Sequence, residues 1–185
     1  MVIIGITGTL GAGKGTVVDY LVKEKGFLHY SVRQYLIEKI KNQGLPVNRD
    51  TMTATANALR KAHHPAFIIE ELYRQAKEHG KNAIIESIRT PGEIDFLKTQ
   101  GKFFLFALDA KPETRYQRIL SRGSETDHVS YETFLSNEQR EMSTLDINKQ
   151  NLGKCIQMAD FMVDNNGDVK TLYEAIDHIL KKIIP

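Results

Sequence analysis

The residues with the clearest chemical meaning form a glycine-rich loop near the start of the chain. Positions 8–16 read Gly-Thr-Leu-Gly-Ala-Gly-Lys-Gly-Thr and follow a short apolar run. Gly8, Gly11 and Gly13 allow backbone angles that let successive N–H groups converge on phosphate oxygens. Lys14, at the start of a predicted helix, adds an ammonium group that can reach the β- and γ-phosphates of a nucleotide. The segment therefore predicts a polyphosphate-binding loop.

The elements around this loop predict a parallel α/β sheet. Apolar segments of strand length occur at 2–6, 27–30, 83–85, 103–108 and 160–163. Segments with helical spacing separate them, so we expect crossover connections and a sheet covered on both faces. The predicted fold is a three-layer α/β/α domain with five parallel strands. The order strand, loop, lysine, helix argues against the alternative of a glycine-rich turn that binds nothing.

Length, charge and cysteine content restrict the class of protein. The 185 residues suffice for one substantial core, and 25 Lys and Arg against 23 Asp and Glu give a formal charge of +2. That balance argues against a dedicated nucleic-acid binder. The single cysteine, Cys155, excludes an internal disulfide, and no run approaches the roughly 20 apolar residues of a membrane span. We expect one cytoplasmic domain over residues 1–185 that binds neither membranes nor nucleic acid.

Two regions depart from the alternation of strands and helices. Positions from about 31 to 80 carry only helical patterns, and positions from about 115 to 145 combine helical segments with a polar loop. Insertions at the carboxyl ends of parallel strands are where open α/β sheets bind ligands. The first region is therefore predicted to be a helical acceptor-binding insertion, and the second a short lid.

The phosphate-binding loop resembles the P-loop of adenylate kinase and related nucleoside monophosphate kinases. Gly15 stands where most P-loops carry the Ser or Thr that ligates magnesium, and Thr16 follows it. This departure assigns Thr16 to the α-phosphate and leaves Mg²⁺ to ATP oxygens, water and a carboxylate elsewhere. The resemblance implies an ATP site formed by Gly8, Gly11, Ala12, Gly13, Lys14, Gly15 and Thr16.

Further segments match the acceptor and catalytic parts of that family. Arg33 opens the helix after the second strand, where the resemblance implies a contact with the acceptor phosphate. Glu86 and Arg89 lie in a Glu-Ser-Ile-Arg stretch that is similar to the family's Asp-Gly-x-Arg. Glu86 is then expected to organise magnesium or to receive the acceptor's proton, and Arg89 to bind a phosphate and assist catalysis. Arg49 and Arg60 offer further donors toward the acceptor, with ordinary surface positions as the alternative.

The predicted lid carries arginines at helical spacing. Arg115, Arg118 and Arg122 fall on one helical face, and like charges on adjacent turns favour a polyanion as their partner. The layout resembles the lid of nucleotide kinases, which implies that Arg118 and Arg122 stabilise the transferring phosphoryl group and that Arg118 also contacts ATP. Arg140 would close over the acceptor from the other side. A solvated helix face is the alternative.

The turn after the fifth predicted strand resembles the end of dephospho-coenzyme A kinase. Positions 164–168 read Asp-Asn-Asn-Gly-Asp. The resemblance implies that Asn165, Asn166 and Gly167 lie beside the adenine of ATP and contact it mainly through backbone. Asn-Asn-Gly is also a common turn sequence, so a purely structural role stays open.

Together these features predict ATP- and Mg²⁺-dependent transfer of a phosphoryl group to a small phosphate-bearing acceptor. A nucleoside or deoxynucleoside monophosphate is the first candidate. Transfer to a hydroxyl of dephospho-coenzyme A is the nearest alternative, and it needs a base such as Glu86. A non-catalytic ATP-binding interaction module is an alternative of another class. The base and sugar of the acceptor and the oligomeric state stay open at this point.

Overall fold

The computed structural model describes residues 1–123 and 129–184, and a five-stranded parallel sheet forms its centre. Positions 124–128, which belong to the predicted lid, lie outside the described residues. The sheet has the spatial order β2-β3-β1-β4-β5, and every neighbouring pair is parallel. The strands are β1 (Ile3–Gly8), β2 (Leu28–Ser31), β3 (Ala83–Glu86), β4 (Phe103–Asp109) and β5 (Phe161–Asp164). Each of the five predicted strands is confirmed.

Helices cover both faces of this sheet, which confirms the predicted α/β class. Two of them, α1 and α9, pack on one face, while α2, α4, α5 and α8 contribute to the core on the other. Every helix in the described part of the chain is too short or too polar to cross a membrane. The helices are α1 (Lys14–Lys25), α2 (Val32–Asn42), α3 (Arg49–Ala62), α4 (Phe67–His79), α5 (Pro91–Thr99), α6 (Pro112–Arg122), α7 (Tyr131–Met142), α8 (Leu152–Gln157) and α9 (Val169–Ile183).

Strand β1 occupies the middle of the sheet and is buried on both faces. Ile4 and Ile6 belong to one core, and Ile3 belongs to the other, as the two-residue period of a strand requires. All six residues of the strand are buried, which explains why the sequence reads there as a continuous apolar run. The chain enters the phosphate-binding loop directly from this fixed position.

The region predicted as an acceptor-binding insertion contains three helices with different roles. Helix α4 places Ile68, Ile69 and Leu72 in the core, so it is the crossover helix that leads to β3. Helices α2 and α3 contact each other and form part of the wall of a cavity in front of the phosphate-binding loop. The acceptor-binding role predicted for positions 31–80 therefore narrows to α2 and α3.

Candidate active site

The phosphate-binding loop runs from β1 to α1 and is closed by neighbouring backbone and side-chain atoms. Helix α1 begins without a side-chain cap and without an acidic residue in its first turn, so its first N–H groups are available to an anion. Gly8 and Gly13 have positive φ angles of 131° and 92°. A Cβ atom on Gly8 would lie 2.1 Å from the carbonyl oxygen of Leu108, and one on Gly13 would lie 2.2 Å from Nδ2 of Asn165. Both positions therefore require glycine.

Asn165 braces this loop from the end of β5. Its side chain is 6% exposed, and Nδ2 donates a hydrogen bond of 2.9 Å to the carbonyl oxygen of Ala12. Its backbone N–H donates to the carbonyl oxygen of Asp109 at 2.8 Å. The sequence pointed to Asn165 only as part of an adenine-binding turn. Its position directly after a strand of the predicted sheet is the signal that could have suggested a brace.

The other two residues of that turn lie away from the cavity. Asn166 is exposed, and its Oδ1 accepts a hydrogen bond of 2.8 Å from the backbone N–H of Lys111. Gly167 lies against Thr171 in the first turn of α9. Neither Asn166 nor Gly167 lines the cavity that the described residues form. Their contact with adenine stays a prediction.

A cavity of about 720 Å³ opens in front of the loop. Its walls come from the loop, from α2 and α3, from the segment after β3, and from α6 and α7. Among the described residues, seven lysine or arginine side chains line it, against two glutamates, Glu86 and Glu141. Such an excess of positive charge in a cleft attracts polyanions. The cationic residues are Lys14, Arg33, Arg49, Arg60, Arg89, Arg118 and Arg122.

Lys14 is half-buried among these charges. Its ammonium group donates hydrogen bonds to the carbonyl oxygens of Gly8, at 2.9 Å, and Thr9, at 2.7 Å. Burial, with repulsion from Arg89, lowers the pKa of Lys14 from 10.5 to about 7. The negative charge of Glu86 acts in the opposite direction and favours the protonated form of Lys14. A polyphosphate in the cavity would supply the negative charge that favours the protonated form.

Glu86 is the last residue of β3, and its carboxylate contacts a histidine of the neighbouring strand β2. Oε2 of Glu86 lies 3.3 Å from Nε2 of His29, a residue that the sequence analysis did not single out. Burial opposes the ionisation of Glu86, but the hydrogen bond from His29 and the charge of Lys14 outweigh it and lower the pKa of the carboxyl group. An ionised carboxylate beside Lys14 can accept a proton or hold a hydrated cation.

Glu86 also fits the expected role in magnesium binding. The described residues contain no cluster of three or more metal-ligating side chains. Mg²⁺ needs no such cluster, because it is commonly bound through one or two carboxylates together with substrate phosphates and water. Glu86 lines the cavity together with Lys14 and Thr16, so its carboxylate is available to such an ion beside the phosphate-binding loop.

The chain leaves β3 through a strained residue. Ser87 has a φ of 71°, a left-handed conformation that costs a residue with a Cβ atom about 1–2 kcal/mol. The N–H groups of Ser87 and Ile88 both donate to the carbonyl oxygen of Ile6, at 3.0 and 3.2 Å, and hold this turn against β1. The turn brings Arg89 to the cavity, and its contact with a phosphate stays a prediction. Strain of this kind often marks functional sites.

Five of the other predicted arginines also line the cavity, and three of them are Arg33, Arg118 and Arg122. Arg33 is exposed and forms no hydrogen bond or ion pair within the described part of the chain. Arg118 lines the wall, and its buried Nη1 has no hydrogen-bond partner among residues 1–123 and 129–184. Arg122, at the end of α6, lines the same wall. These three side chains are placed where an anionic ligand could meet them.

Arg115 departs from the prediction for the lid. It is 2% exposed and lies outside the cavity lining that the described residues form. Its guanidinium group pairs with Glu138 of α7 and donates to the carbonyl oxygens of Leu10, at 3.2 Å, and Ala110, at 2.7 Å. Arg115 therefore ties α6 and α7 to the phosphate-binding loop and does not face a polyanion. The prediction for Arg115 is therefore wrong, while Arg118 and Arg122 line the cavity and their contact with a phosphate stays a prediction.

Arg60 and Arg140 also lie in surroundings that the sequence did not predict. Arg140 is exposed, donates to Oδ1 of Asn137 at 2.6 Å, and is not part of the cavity wall that the described residues form. Arg60 lines the cavity but is 2% exposed, and its Nη2 donates to Glu93 at 2.8 Å. The structure therefore gives Arg60 a buried ion pair and leaves Arg140 at the surface.

Glu141 is a cavity residue that the sequence analysis missed. Its Oε2 accepts a hydrogen bond of 2.6 Å from Nη1 of Arg89, and its Oε1 pairs with Nη2 of Arg49. Burial opposes ionisation, but the two guanidinium groups prevail and lower the pKa of Glu141. No local pattern marks this residue, because its partners are distant in sequence. The carboxylate connects α7 with α3 and with the segment after β3.

Comparisons with known proteins agree with this fold. A family model described as an AAA domain matches residues 4–146. The UPF0200 protein of Methanococcus vannielii is 32% identical over 187 residues, with 100% of this chain and 97% of that protein covered. The crystal structure of a shikimate kinase from Bacteroides thetaiotaomicron has a TM-score of 0.61 at 11% identity, covering 97% of this chain and 98% of that one. A gluconokinase from Sinorhizobium meliloti has a TM-score of 0.58 at 14% identity, covering 98% and 93%. At these identities the two structures establish a shared fold.

The brace at Asn165 can be tested by stability measurements. Replacing Asn165 with Ala leaves the buried carbonyl oxygen of Ala12 without its donor, so the free energy of unfolding should fall by about 1–3 kcal/mol. Asn42→Ala, at an exposed position, is the control and should change it by less than about 0.5 kcal/mol. Urea denaturation followed by circular dichroism measures both. Equal stability of the two variants would contradict the bracing role.

Proposed function

The chain belongs to the AAA-domain family and to the UPF0200 proteins, and we propose that it transfers the terminal phosphoryl group of ATP to a small phosphate-bearing acceptor. The observation that carries the proposal is the half-buried Lys14 at the phosphate-binding loop, in a cavity where seven cations face two carboxylates in the part of the chain that the structure describes. Two anionic substrates side by side would balance such a cavity. A nucleoside or deoxynucleoside monophosphate is the acceptor that we propose first.

The ATP half of the reaction would use the loop and the start of α1. Backbone N–H groups there and the ammonium group of Lys14 would hold the phosphates, and Thr16 would contact the α-phosphate. Asn166 and Gly167 would lie beside the adenine. Glu86 would hold magnesium, through water or directly. Magnesium, when bound, neutralises charge on the ATP phosphates and orients them.

The acceptor half would use the opposite wall of the cavity. Arg33 and Arg89 would position the acceptor phosphate so that one of its oxygens attacks the γ-phosphorus in line. A bond forms between that oxygen and the γ-phosphorus, while the bond from the γ-phosphorus to the bridging oxygen breaks and ADP leaves. Lys14, Arg118 and Arg122 would stabilise the charge on the phosphoryl group in transit.

A hydroxyl-bearing acceptor, such as dephospho-coenzyme A, is the second candidate. The pair of Glu86 and His29 favours it, because a hydroxyl must lose its proton during transfer and the ionised carboxylate could accept that proton. The structural neighbours described above are named for acceptors other than nucleotides. A monophosphate acceptor already carries ionised oxygens and has no need of a base.

A phosphoryl-transfer screen tests the proposal. The protein is incubated with ATP, Mg²⁺ and a panel of nucleoside monophosphates, deoxynucleoside monophosphates and coenzyme A precursors. We expect turnover with a nucleotide, reduced at least about a hundredfold in Lys14→Met because the variant loses the charge that stabilises the transferred group. Lys77→Met, at an exposed position of α4, is the control and should retain activity. Binding of ATP without transfer to any acceptor would instead support a non-catalytic interaction module.

Glu86→Gln separates the two roles of Glu86. If Glu86 is the base for a hydroxyl acceptor, kcat should fall by about 10²–10⁴ at every magnesium concentration. If Glu86 holds magnesium for a monophosphate acceptor, the loss should be smaller, and excess Mg²⁺ should restore much of the rate. The second pattern is the one that our first proposal predicts. Glu24→Gln, on the exposed side of α1, controls for the change in charge.

A further inference from the structure

Glu141 bridges two arginines that come from different parts of the chain. Arg49 begins α3, Arg89 follows the end of β3, and Glu141 is the penultimate residue of α7. One carboxylate oxygen meets each guanidinium group, and the contact to Arg89 is 2.6 Å long. All three residues line the cavity. Two arginines that converge on two oxygens form the arrangement by which proteins bind the carboxylate or phosphate of a ligand.

A third arginine beside this cluster keeps an unused donor. The side chain of Arg60 is 1% exposed, and its Nε and Nη2 donate to Oε1 of Glu93 at 3.2 and 2.8 Å. Its Nη1 is buried and has no hydrogen-bond partner in the described part of the chain, although Arg60 lines the same cavity. A buried donor without an acceptor is costly. This wall of the cavity therefore carries one guanidinium donor whose hydrogen bond Glu141 does not supply.

Glu93 holds Arg60 and Arg89 in fixed positions relative to each other. While its Oε1 binds Arg60, its Oε2 accepts hydrogen bonds from the backbone N–H of Arg89, at 2.7 Å, and of Thr90, at 3.0 Å. Glu93 is itself completely buried and forms a capping box with Thr90 at the start of α5. Glu93 thus fixes the guanidinium group of Arg60 and the backbone from which the side chain of Arg89 extends.

The charge balance favours a phosphate over the resident carboxylate. Glu141 brings one negative charge and two oxygens to Arg49 and Arg89. A phosphate monoester brings about 1.5 to 2 negative charges and three terminal oxygens. The uncharged side chains of Val32, Leu36 and Met52 line the same cavity and could contact the rest of an acceptor molecule.

We propose that Arg49 and Arg60 complete the subsite in which Arg33 and Arg89 position the acceptor's phosphate monoester, and that Glu141 occupies this subsite until the acceptor replaces it. The inference rests on the proposed function and adds the chemical group that selects the acceptor. Glu141 lies one residue before the end of α7, so its side chain can turn away while buried Phe134 keeps the helix in place. A neutral acceptor could not displace the carboxylate, so the subsite selects for a phosphate.

Calorimetric titration with inorganic phosphate tests this subsite. The protein is first saturated with ADP and Mg²⁺, which fill the phosphate-binding loop, so that the added phosphate reports on the acceptor side. We expect Glu141→Gln to bind phosphate about tenfold more tightly than the wild type, because the competing charge is gone. Glu132→Gln, which makes the same charge change at an exposed position of α7, should bind like the wild type. Acetate should bind Glu141→Gln more weakly than phosphate does.

The double variant Glu141→Gln, Arg49→Gln decides whether the gain arises in the subsite. The proposal predicts that it loses the gain. It would be overturned if Glu141→Gln bound phosphate no more tightly than the wild type, or if the double variant kept the tighter binding. Glu141→Ala serves for the same comparison if Glu141→Gln does not fold.

Failure of the proposed function would look different. If ADP did not bind the wild type, that result would count against the proposed function. The comparison of single and double variants could then be made in the absence of ADP, because the substitution at Arg49 leaves the phosphate-binding loop unchanged.

Discussion

Positive charge gathered around the half-buried ammonium group of Lys14 is the constraint on which the rest of this structure depends. Repulsion and burial together bring the pKa of Lys14 down to about 7, so the charge is costly to keep. Carboxylates stabilise the positive charges of the site: Glu86 lies near Lys14, Glu93 pairs with Arg60, and Glu141 lies between two arginines. These acids fix the cations without neutralising all of them. The remaining excess is what an anionic substrate would meet.

The backbone supplies the rigid side of the site. Strand β1 is buried on both faces, and it delivers the phosphate-binding loop between β3 and β4. Asn165 closes the loop from the end of β5, and the strained turn at Ser87 directs Arg89 to the same place. The opposite wall consists of helices. Helix α7 contacts α3 through Glu141, and its Glu138 pairs with Arg115 of α6, which donates a hydrogen bond to the loop. An anion that replaced Glu141 would therefore change a contact between two walls of the cavity.

The sequence predicted the parts of the site that depend on local pattern. The loop, Glu86 and Arg89 follow strands, and the ends of parallel strands meet at one edge of the sheet, so their positions could be inferred. The pairs Arg49–Glu141 and Asn165–Ala12 span 92 and 153 residues, and no periodicity within a helix or strand reports such contacts. Helical spacing placed Arg115 beside Arg118, but it could not show that Arg115 forms an ion pair with Glu138 of another helix.

The central claim is that a polyphosphate is bound by the loop and by Lys14. Calorimetric titration of ATP and Mg²⁺ at about pH 8.5, in two buffers with different ionisation enthalpies, tests it most directly. Lys14 is then largely neutral in the free protein, because its pKa is about 7, and bound phosphates raise that pKa. Binding should take up about one proton, and this uptake should fade as the pH drops through 7 and vanish in Lys14→Met. Binding without proton uptake, or no binding at all, would contradict the account.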